Sequence, residues 1–443
     1  MTDREKLYAE KLATLIRKET ISEFYQKDKS KFYEFHDVLR NEFPVVFETC
    51  AYENFDGSLL LRWKGQDSSK EPIMFMNHYD VVETHGEWQH EPFSGDIADG
   101  KVWGRGTLDT KGGLFCMLQA AEELMKAGFK PQQDIYFETA CTEETDGTGC
   151  DAITKHLLKR GIHFSFCIDE GGFILYDPIG GADATFAMIG VAEKAYADVR
   201  FIAKSHGGHA STPSKDTPLV RLGKFMAACE KNDLKLFPVD MAPEVEEMLK
   251  RMGPTMKAPL KQILENTEKT KPLLEKVLPM FSPTAAALLK TTMAFTMASG
   301  SDSTNVLPME AHVIANMRFS HHQGSKAAID AVTKLAKKYD IEVVVDDLGL
   351  ESPICSYDTD QFRLVEKAVT ENFKDVKTAP YIMNAASDSR YMARVCDNCM
   401  RFLPFIISDE QVAGIHGIDE NVDVSTLPPA VDFYKYLMQN AAF

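Results

Sequence analysis

The side chains able to do chemistry gather in a few short stretches of the chain. In "HYDVV", His78 and Asp80 stand two residues apart at an expected strand end, so both side chains point to one face. An Asp there can accept the second ring N–H of a metal-bound His, which fixes the tautomer and raises ligand basicity. The plain alternative is a solvated loop histidine. In "GRGTLDTKGG", glycines leave the backbone close to whatever Asp109 faces, and a strong helix begins near Lys111. Asp109 suits the N-cap of that helix or a carboxylate bridging two cations. "TEETDGTG" sets Glu143 beside Glu144 after a buried strand. Neighbouring side chains point in different directions, so one can bind metal while the other holds a water as general base. Acids favouring a helix N-terminus are the alternative. "CIDEGG" repeats the idea with Asp169 and Glu170, and "AGIHGIDEN" adds His416 in a loop without apolar periodicity. Two histidines with an Asp and two Glu suit two borderline divalent ions such as Zn²⁺, one His each, with one carboxylate between them. A magnesium-only site would use oxygen ligands and few histidines. His85 has no partner in this scheme and reads as a loop histidine.

These residues need a frame that brings distant loops together. Residues 73 to 190 alternate strand-like runs ("PIMFMNHYDVV", "DIYFETACTEE", "FSFCIDEGG") with the amphipathic helices "KGGLFCMLQAAEELMKAG" and "GTGCDAITKHLLKRG". That alternation predicts an α/β/α layer with a mainly parallel sheet, whose functional side chains gather at strand carboxyl ends. From about 190 the order changes. "EKAYADVRFIAKS" is a strand, "TPLVRLGKFMAACEKN" a helix, "NVLPMEAHVIANMRFS" two strands joined by a turn, "SKAAIDAVTKLAKKYD" a helix and "IEVVVDDLG" a strand. This β-α-β-β-α-β order describes a ferredoxin-like sandwich. Residues 234–292, rich in Lys, Glu, Leu, Met and Pro, read as an inserted helical arm. From 351 the α/β character resumes. The expected division is a catalytic part over 1–189 and 351–443, with a smaller domain over 190–350 inserted into it.

Composition fits that frame. A chain of 443 residues exceeds what one hydrophobic core usually serves. A formal net charge of −17 argues against nucleic acid and anionic membrane surfaces as partners, since phosphates need clustered Lys and Arg. No run approaches a membrane span, and the charged N-terminus has no apolar core of signal-peptide length. The nine cysteines, an odd number, suit a reduced cytoplasmic chain better than a disulfide framework. The single CxxC, Cys396 and Cys399, lacks the second ligand pair of a zinc ribbon.

Taken in order, "HYDVV", "GRGTLDTKGG", "TEET", "DEGG", "GGHAST" and "GIHG" resemble the zinc amidohydrolases of the aminoacylase, acetylornithine deacetylase and carboxypeptidase group, over roughly residues 70 to 440. "PFSGDIADGKVWGRGTLD", "DEGGFIL" and the long arm are most similar to the carboxypeptidase S (Gly-Xaa carboxypeptidase) and N-acyl-amino-acid hydrolase branch. The resemblance implies two Zn²⁺ ions, with Co²⁺ or Mn²⁺ as substitutes. His78 would bind one ion and His416 the other, with Asp109 bridging. Asp80 would orient His78. Glu143 would be general base and proton shuttle, and Glu144 a ligand beside His416. Glu170 would complete the site beside His78, with Asp169 its adjacent alternative. The smaller domain resembles the family's lid and dimerisation domain. His209 then matches a histidine that reaches a neighbouring subunit's site and stabilises the oxyanion. Asn305 and Arg318 match lid positions that hold the substrate carboxylate, with Arg390 a further carboxylate-site candidate and a strand-surface salt bridge the alternative for Arg318. The implied activity is hydrolysis of an amide bond next to a free carboxylate, in short peptides first and N-acyl amino acids second. The rival from another class is a binding protein that has lost catalysis, which the filled ligand and base positions disfavour. The branch members known to carry targeting segments differ from this chain, which shows none.

Overall fold

The computed structural model describes residues 1–281 and 283–443. Its largest sheet grows from segments apolar on both faces, as strands covered on two sides must be. Ile73–Met76, Ile135–Thr139 and Phe166–Asp169 are buried throughout. They pair in parallel, with Ile73–Met76 in the middle. Cys399–Arg401 continues the parallel run beside Phe166–Asp169, and Thr185–Glu193 pairs in parallel with Val376–Met383. The hairpin of Ala51–Phe55 and Ser58–Trp63 closes one edge antiparallel.

The two-residue period of the strands divides the core. Ile73 and Phe75 face the helices Lys111–Lys126 and Leu427–Asn440, where Phe75, Phe115, Phe137 and Tyr434 meet. Met74 and Met76 face the helix Thr148–Lys159, with Tyr136, Ile153 and Leu157. Helices therefore cover both faces, which is the expected α/β/α arrangement.

A second sheet is antiparallel, in the order Thr292–Ser299, Glu310–Arg318, Tyr196–Lys204, Glu342–Leu348. The helices Pro218–Lys231 and Gly324–Ala336 cover one face around Phe201, Phe225 and Val313. The order along the chain is β-α-β-β-α-β, but one expected strand is replaced. Thr292–Ser299 supplies the sheet's second strand, whereas Val306–Leu307 pairs with Gly208–His209 in a separate small ribbon. Thr292–Ser299 is a largely exposed edge strand, so its sequence carries little apolar alternation.

The arm is helical: Pro243–Met252, Leu260–Leu264, Thr267–Phe281 and Pro283–Leu289. It packs not on the small sheet but on Thr185–Glu193 and Val376–Met383 of the large one, through Phe186, Met248, Met252, Leu264 and Ile382. All nine cysteines are free and buried, Cys396 and Cys399 among them. Among the described residues, no helix is long and apolar enough to cross a membrane.

Candidate active site

Parallel pairing sets the ends of Ile73–Met76, Ile135–Thr139 and Phe166–Asp169 at one sheet edge. The chain leaves that edge through His78, through Glu143 and Glu144, and through Glu170. Asp109 comes from the loop before the helix Lys111–Lys126, and His416 from the loop after Asp409–Gly414. Asp109 stands between the two histidines. Its Oδ1 is 2.9 Å from His78 Nε2 and its Oδ2 is 3.1 Å from His416 Nε2. Glu144 Oε2 is also 3.1 Å from His416 Nε2. Ligand atoms of His78, Asp109 and Glu144 all lie within 4.8 Å of one another. Glu143 sits beside them, with Oε2 4.0 Å from His78 Nε2 and Oε1 3.7 Å from an Arg390 guanidinium nitrogen.

The local geometry removes several alternatives. Thr110, not Asp109, holds the N-cap position of the following helix. Glu143 and Glu144 precede the helix that starts at Thr148, so they are not its first-turn acids. A Cβ at Gly112 would collide with the Thr107 carbonyl, and one at Gly113 with Asn77 Oδ1. These glycines let the helix start pack on the strand end. His78 Nδ1 lies 3.0 Å from the Asp80 carbonyl oxygen and 3.5 Å from its Oδ1. A carbonyl only accepts, so Nδ1 carries the hydrogen and Nε2 is left to coordinate. The Asp80 carboxylate meanwhile accepts the backbone N–H groups of Glu143 at 3.2 Å and Glu144 at 3.1 Å, and the Ser22 hydroxyl at 2.7 Å. It therefore positions three site residues. Both Asp169 oxygens accept backbone N–H groups, from Glu170 at 3.0 Å and Ser389 at 2.8 Å. Glu170 Oε2 is buried with no hydrogen-bond partner.

Charge in the cluster is out of balance. Burial pulls the His78 imidazole down, but hydrogen bonds to Asp109 and Asp80 outweigh it and hold it well above its usual range. Hydrogen bonds to Asp109 and Glu144 push His416 up to about 10. Burial, reinforced by the Asp109 charge, pushes Glu144 up to about 7. Burial and the charges of Asp388 and Glu144 push Glu143 well up, and burial with Asp169 does the same to Glu170. Glu144 Oε1 joins Glu170 Oε2 as a buried oxygen with no hydrogen-bond partner. Crowded carboxylates, orphaned oxygens and two imidazole nitrogens form a donor set that fits divalent cations.

Two residues that the sequence reading did not single out hold this cluster in place. Glu420 is fully buried and accepts from the backbone N–H groups of Leu108 at 2.7 Å and of Gly106 and Asp109 at 3.1 Å. It also pairs with Arg105 at 2.6 Å. Arg105 donates onward to the Gly417 carbonyl at 2.6 Å. The pair thus clamps the Asp109 loop to the His416 loop. The only sequence hint was the Arg in "GRG" and the Glu in "GIDEN", neither at a predicted strand end.

The other expected site residues are more dispersed. Arg390 is buried and belongs to the cluster through Glu143. Arg318 is half-buried on its strand, its guanidinium 5.3 Å over the Tyr196 ring and bonded to Asn316 at 3.1 Å. Burial lowers its pKa, and repulsion from Arg390 adds to that. Among the described residues it has no ion-pair partner, so the salt-bridge alternative is not realised. His209 lies in the exposed ribbon and Asn305 in the turn just before its second strand, with His209 Nδ1 2.7 Å from Ser211 Oγ. No described contact joins either to the metal cluster within this chain.

A cavity of about 750 Å³ opens beside the cluster. Asp109, Glu143, Glu144, Glu170 and His416 line one end. The rest is walled mostly by apolar side chains on or beside the large sheet and on the arm, such as Phe173, Met188, Leu249 and Leu288, with Tyr381, Asn384, Ser387 and Thr284 among them.

Comparison with known proteins agrees with this geometry. The chain is 31% identical over 443 residues to a probable carboxypeptidase S-like 2 of Dictyostelium discoideum, covering 98% of this chain and 84% of that protein. It is 30% identical over 419 residues to the human N-fatty-acyl-amino acid synthase/hydrolase PM20D1, covering 92% and 82%. In three dimensions it is similar to an M20 family metallo-carboxypeptidase from Sulfolobus solfataricus, with a TM-score of 0.69, 15% identity and 99% of each chain covered. Human carnosine dipeptidase 1 gives a TM-score of 0.69 at 14% identity, with 98% of this chain and 96% of that one covered. Residues 74–440 match the model of peptidase family M20/M25/M40, so the chain belongs to that family and is a metal-dependent hydrolase of amide bonds.

Proposed function

We propose that the enzyme cleaves the amide bond next to a free carboxylate, in short peptides or N-acyl amino acids, using two divalent cations of which Zn²⁺ is the preferred pair. His78, Asp109 and Glu170 would hold one ion, and His416, Asp109 and Glu144 the other. The observation that carries this reading is Asp109, which offers one oxygen to each histidine. When bound, the cations polarise the scissile carbonyl and acidify the attacking water. Glu143 takes the water's proton at the carboxylate edge facing His78 and delivers it to the leaving nitrogen. Asp80 keeps the His78 tautomer and the backbone of both glutamates fixed. Arg390 and Arg318, two partly desolvated cations that repel each other, would receive the substrate carboxylate, with Asn305 beside it. A carboxylate between them relieves that repulsion. His209, exposed on its ribbon, would reach the site of a second copy, which makes a homodimer through the smaller domain part of this proposal. Nine buried thiols support a reducing, cytoplasmic setting.

One observation favours an N-acyl amino acid as a second reading. Apart from the proposed ligands and Glu143, the described residues of the cavity walls carry no carboxylate able to meet the α-ammonium of a dipeptide. An apolar acyl group would lie there without leaving a charge unpaired. Relatives named for N-fatty-acyl amino acids point the same way. The test incubates the zinc-loaded enzyme with Gly-Leu-type dipeptides and with N-acyl amino acids and follows amine release by mass spectrometry. Release from none of them would overturn the hydrolase assignment of this site in favour of a binding role.

A further inference from the structure

We infer that the inserted arm is the gauge of the acyl group, setting how long an apolar chain the active site accepts. This rests on the amide-hydrolase reading of the metal cluster. The cavity starts at Glu143, Glu144 and His416 and runs between two apolar surfaces. Phe173, Leu175 and Met188 of the large sheet form one, and Val245, Met248, Leu249, Leu278 and Leu288 of the arm form the other. Every charged side chain among the described lining residues stands at the metal end. Away from the metal end the described lining is mostly apolar, with Thr284 and Tyr381 its polar exceptions and no charged group, and a volume near 750 Å³ falls within the size of pockets that enclose a whole ligand.

The arm is built as a wall that stays put. Met248, Met252 and Leu264 sink into the large sheet against Phe186 and Ile382. Lys194, itself 1% exposed, donates its ammonium to the Ala287 carbonyl and, at 2.7 Å, to the Lys290 carbonyl. Those bonds fasten the end of helix Pro283–Leu289 directly behind Leu288. Lys290 is held in turn by Asp233 at 2.8 Å. Leu278 and Leu288 stay half-buried because one side of each faces the cavity rather than the arm's own core. A fixed apolar wall rewards each added methylene until the chain meets it and rejects longer chains. Below that limit, kcat/KM should rise about fourfold per methylene.

The test uses the zinc-loaded full chain with N-acetyl-, N-octanoyl-, N-lauroyl- and N-palmitoyl-leucine, and with Gly-Leu. Binding is followed separately, by displacement of the fluorescent fatty acid cis-parinaric acid. The expected result is a kcat/KM that climbs with chain length and then breaks. Leu288→Trp should move the break to shorter chains, and the ratio of long-chain to N-acetyl kcat/KM should fall by at least about tenfold. Leu278→Phe is the gentler second variant, with circular dichroism confirming that each is folded. A length profile in the folded variants that matches wild type, in both turnover and displacement, overturns the proposal. So does a profile that is flat in wild type. Absence of turnover with the length-dependent displacement and its shift in Leu288→Trp intact strikes the hydrolase reading and leaves the arm's role standing.

Discussion

Glu420→Gln tests whether the metal ligands are held by a device one layer behind them. Glutamine keeps the shape of the side chain but replaces one accepting oxygen with an amide nitrogen. Gly106, Leu108 and Asp109 already converge on Oε1, which becomes a neutral acceptor, while the Oε2 side facing Arg105 is the one lost. Arg105, 1% exposed, loses its one ion-pair partner among the described residues and keeps the carbonyls of Gly414 at 3.5 Å and Gly417 at 2.6 Å. Removing one partner of a buried ion pair costs about 3–5 kcal/mol. Because the carbonyls and one amide oxygen remain, the expected loss is at the lower end, about 3 kcal/mol. The same bonds fix Asp109 on one loop and His416 on the other, so zinc affinity should fall by about 10–100-fold, the range for partners that orient ligands. Urea unfolding of the metal-free protein reads the first number. Titration against a chromophoric zinc chelator, where both proteins are folded, reads the second. The control is Leu437→Ala, a fully buried position on the last helix, with a similar expected stability loss. Zinc affinity in Glu420→Gln that equals wild type, or that falls no further than in Leu437→Ala, would refute the clamp and leave an ordinary buried ion pair.

Other outcomes follow from the same geometry. Glu143→Gln should retain metal while losing at least about 10²-fold in kcat, whereas Glu144→Gln should lose metal; the reverse pattern in metal analysis would exchange their roles. His209→Ala should lower kcat by about 3 kcal/mol of transition-state stabilisation with zinc content unchanged, and unchanged kcat would remove the trans donor and with it the support for the dimer. Dialysis against a chelator should abolish amine release, with recovery on adding Zn²⁺, Co²⁺ or Mn²⁺; activity surviving at no measurable metal content would refute the cation requirement. Burial lowers His36 from 6.5 to about 4, against the pull of its hydrogen bond to the Gly57 carbonyl. Above pH 6.5 neither folded nor unfolded chain binds that proton. Between 6.5 and about 4 only the unfolded chain does, so stability should fall over that window by about 3 kcal/mol. The denaturation midpoint of His36→Gln should lack this component, and parallel pH curves for the two proteins would refute it.

The central sheet and the clustering of its carboxylates and histidines could be read from the sequence for one physical reason. Strands buried on both faces are written as unbroken apolar runs, and the polar residues that end them stand out. His78, Glu143, Glu144 and Glu170 each follow such a run directly, so their convergence needed only a parallel sheet. The small sheet was legible where a strand alternates, as Glu310–Arg318 does, and not where it is an exposed edge, as in Thr292–Ser299. Spacing alone left Asp169 and Glu170 as alternatives; the fold distinguishes them, since Asp169 accepts the backbone N–H groups of Glu170 and Ser389 while Glu170 Oε2 has no hydrogen-bond partner, which supports Glu170 as the proposed ligand.

The arm and the clamp were hidden for a different reason. Both act through contacts between segments far apart in the chain. The arm's composition announces helices, but its partner face lies on Thr185–Glu193 and Val376–Met383, and an amphipathic helix does not encode which apolar surface it will cover. Arg105 and Glu420 are separated by most of the chain, and neither is unusual where it stands. Yet they bear on the chemistry as directly as the ligands do. In the proposed role, Asp109 would bridge two cations only if its loop and the His416 loop keep a fixed separation. An ion pair with further bonds into both loops is the arrangement that fixes it. A substitution there should therefore weaken metal binding without touching a metal-binding atom. That separates a site defined by its ligands alone from one defined by the spacing between its loops.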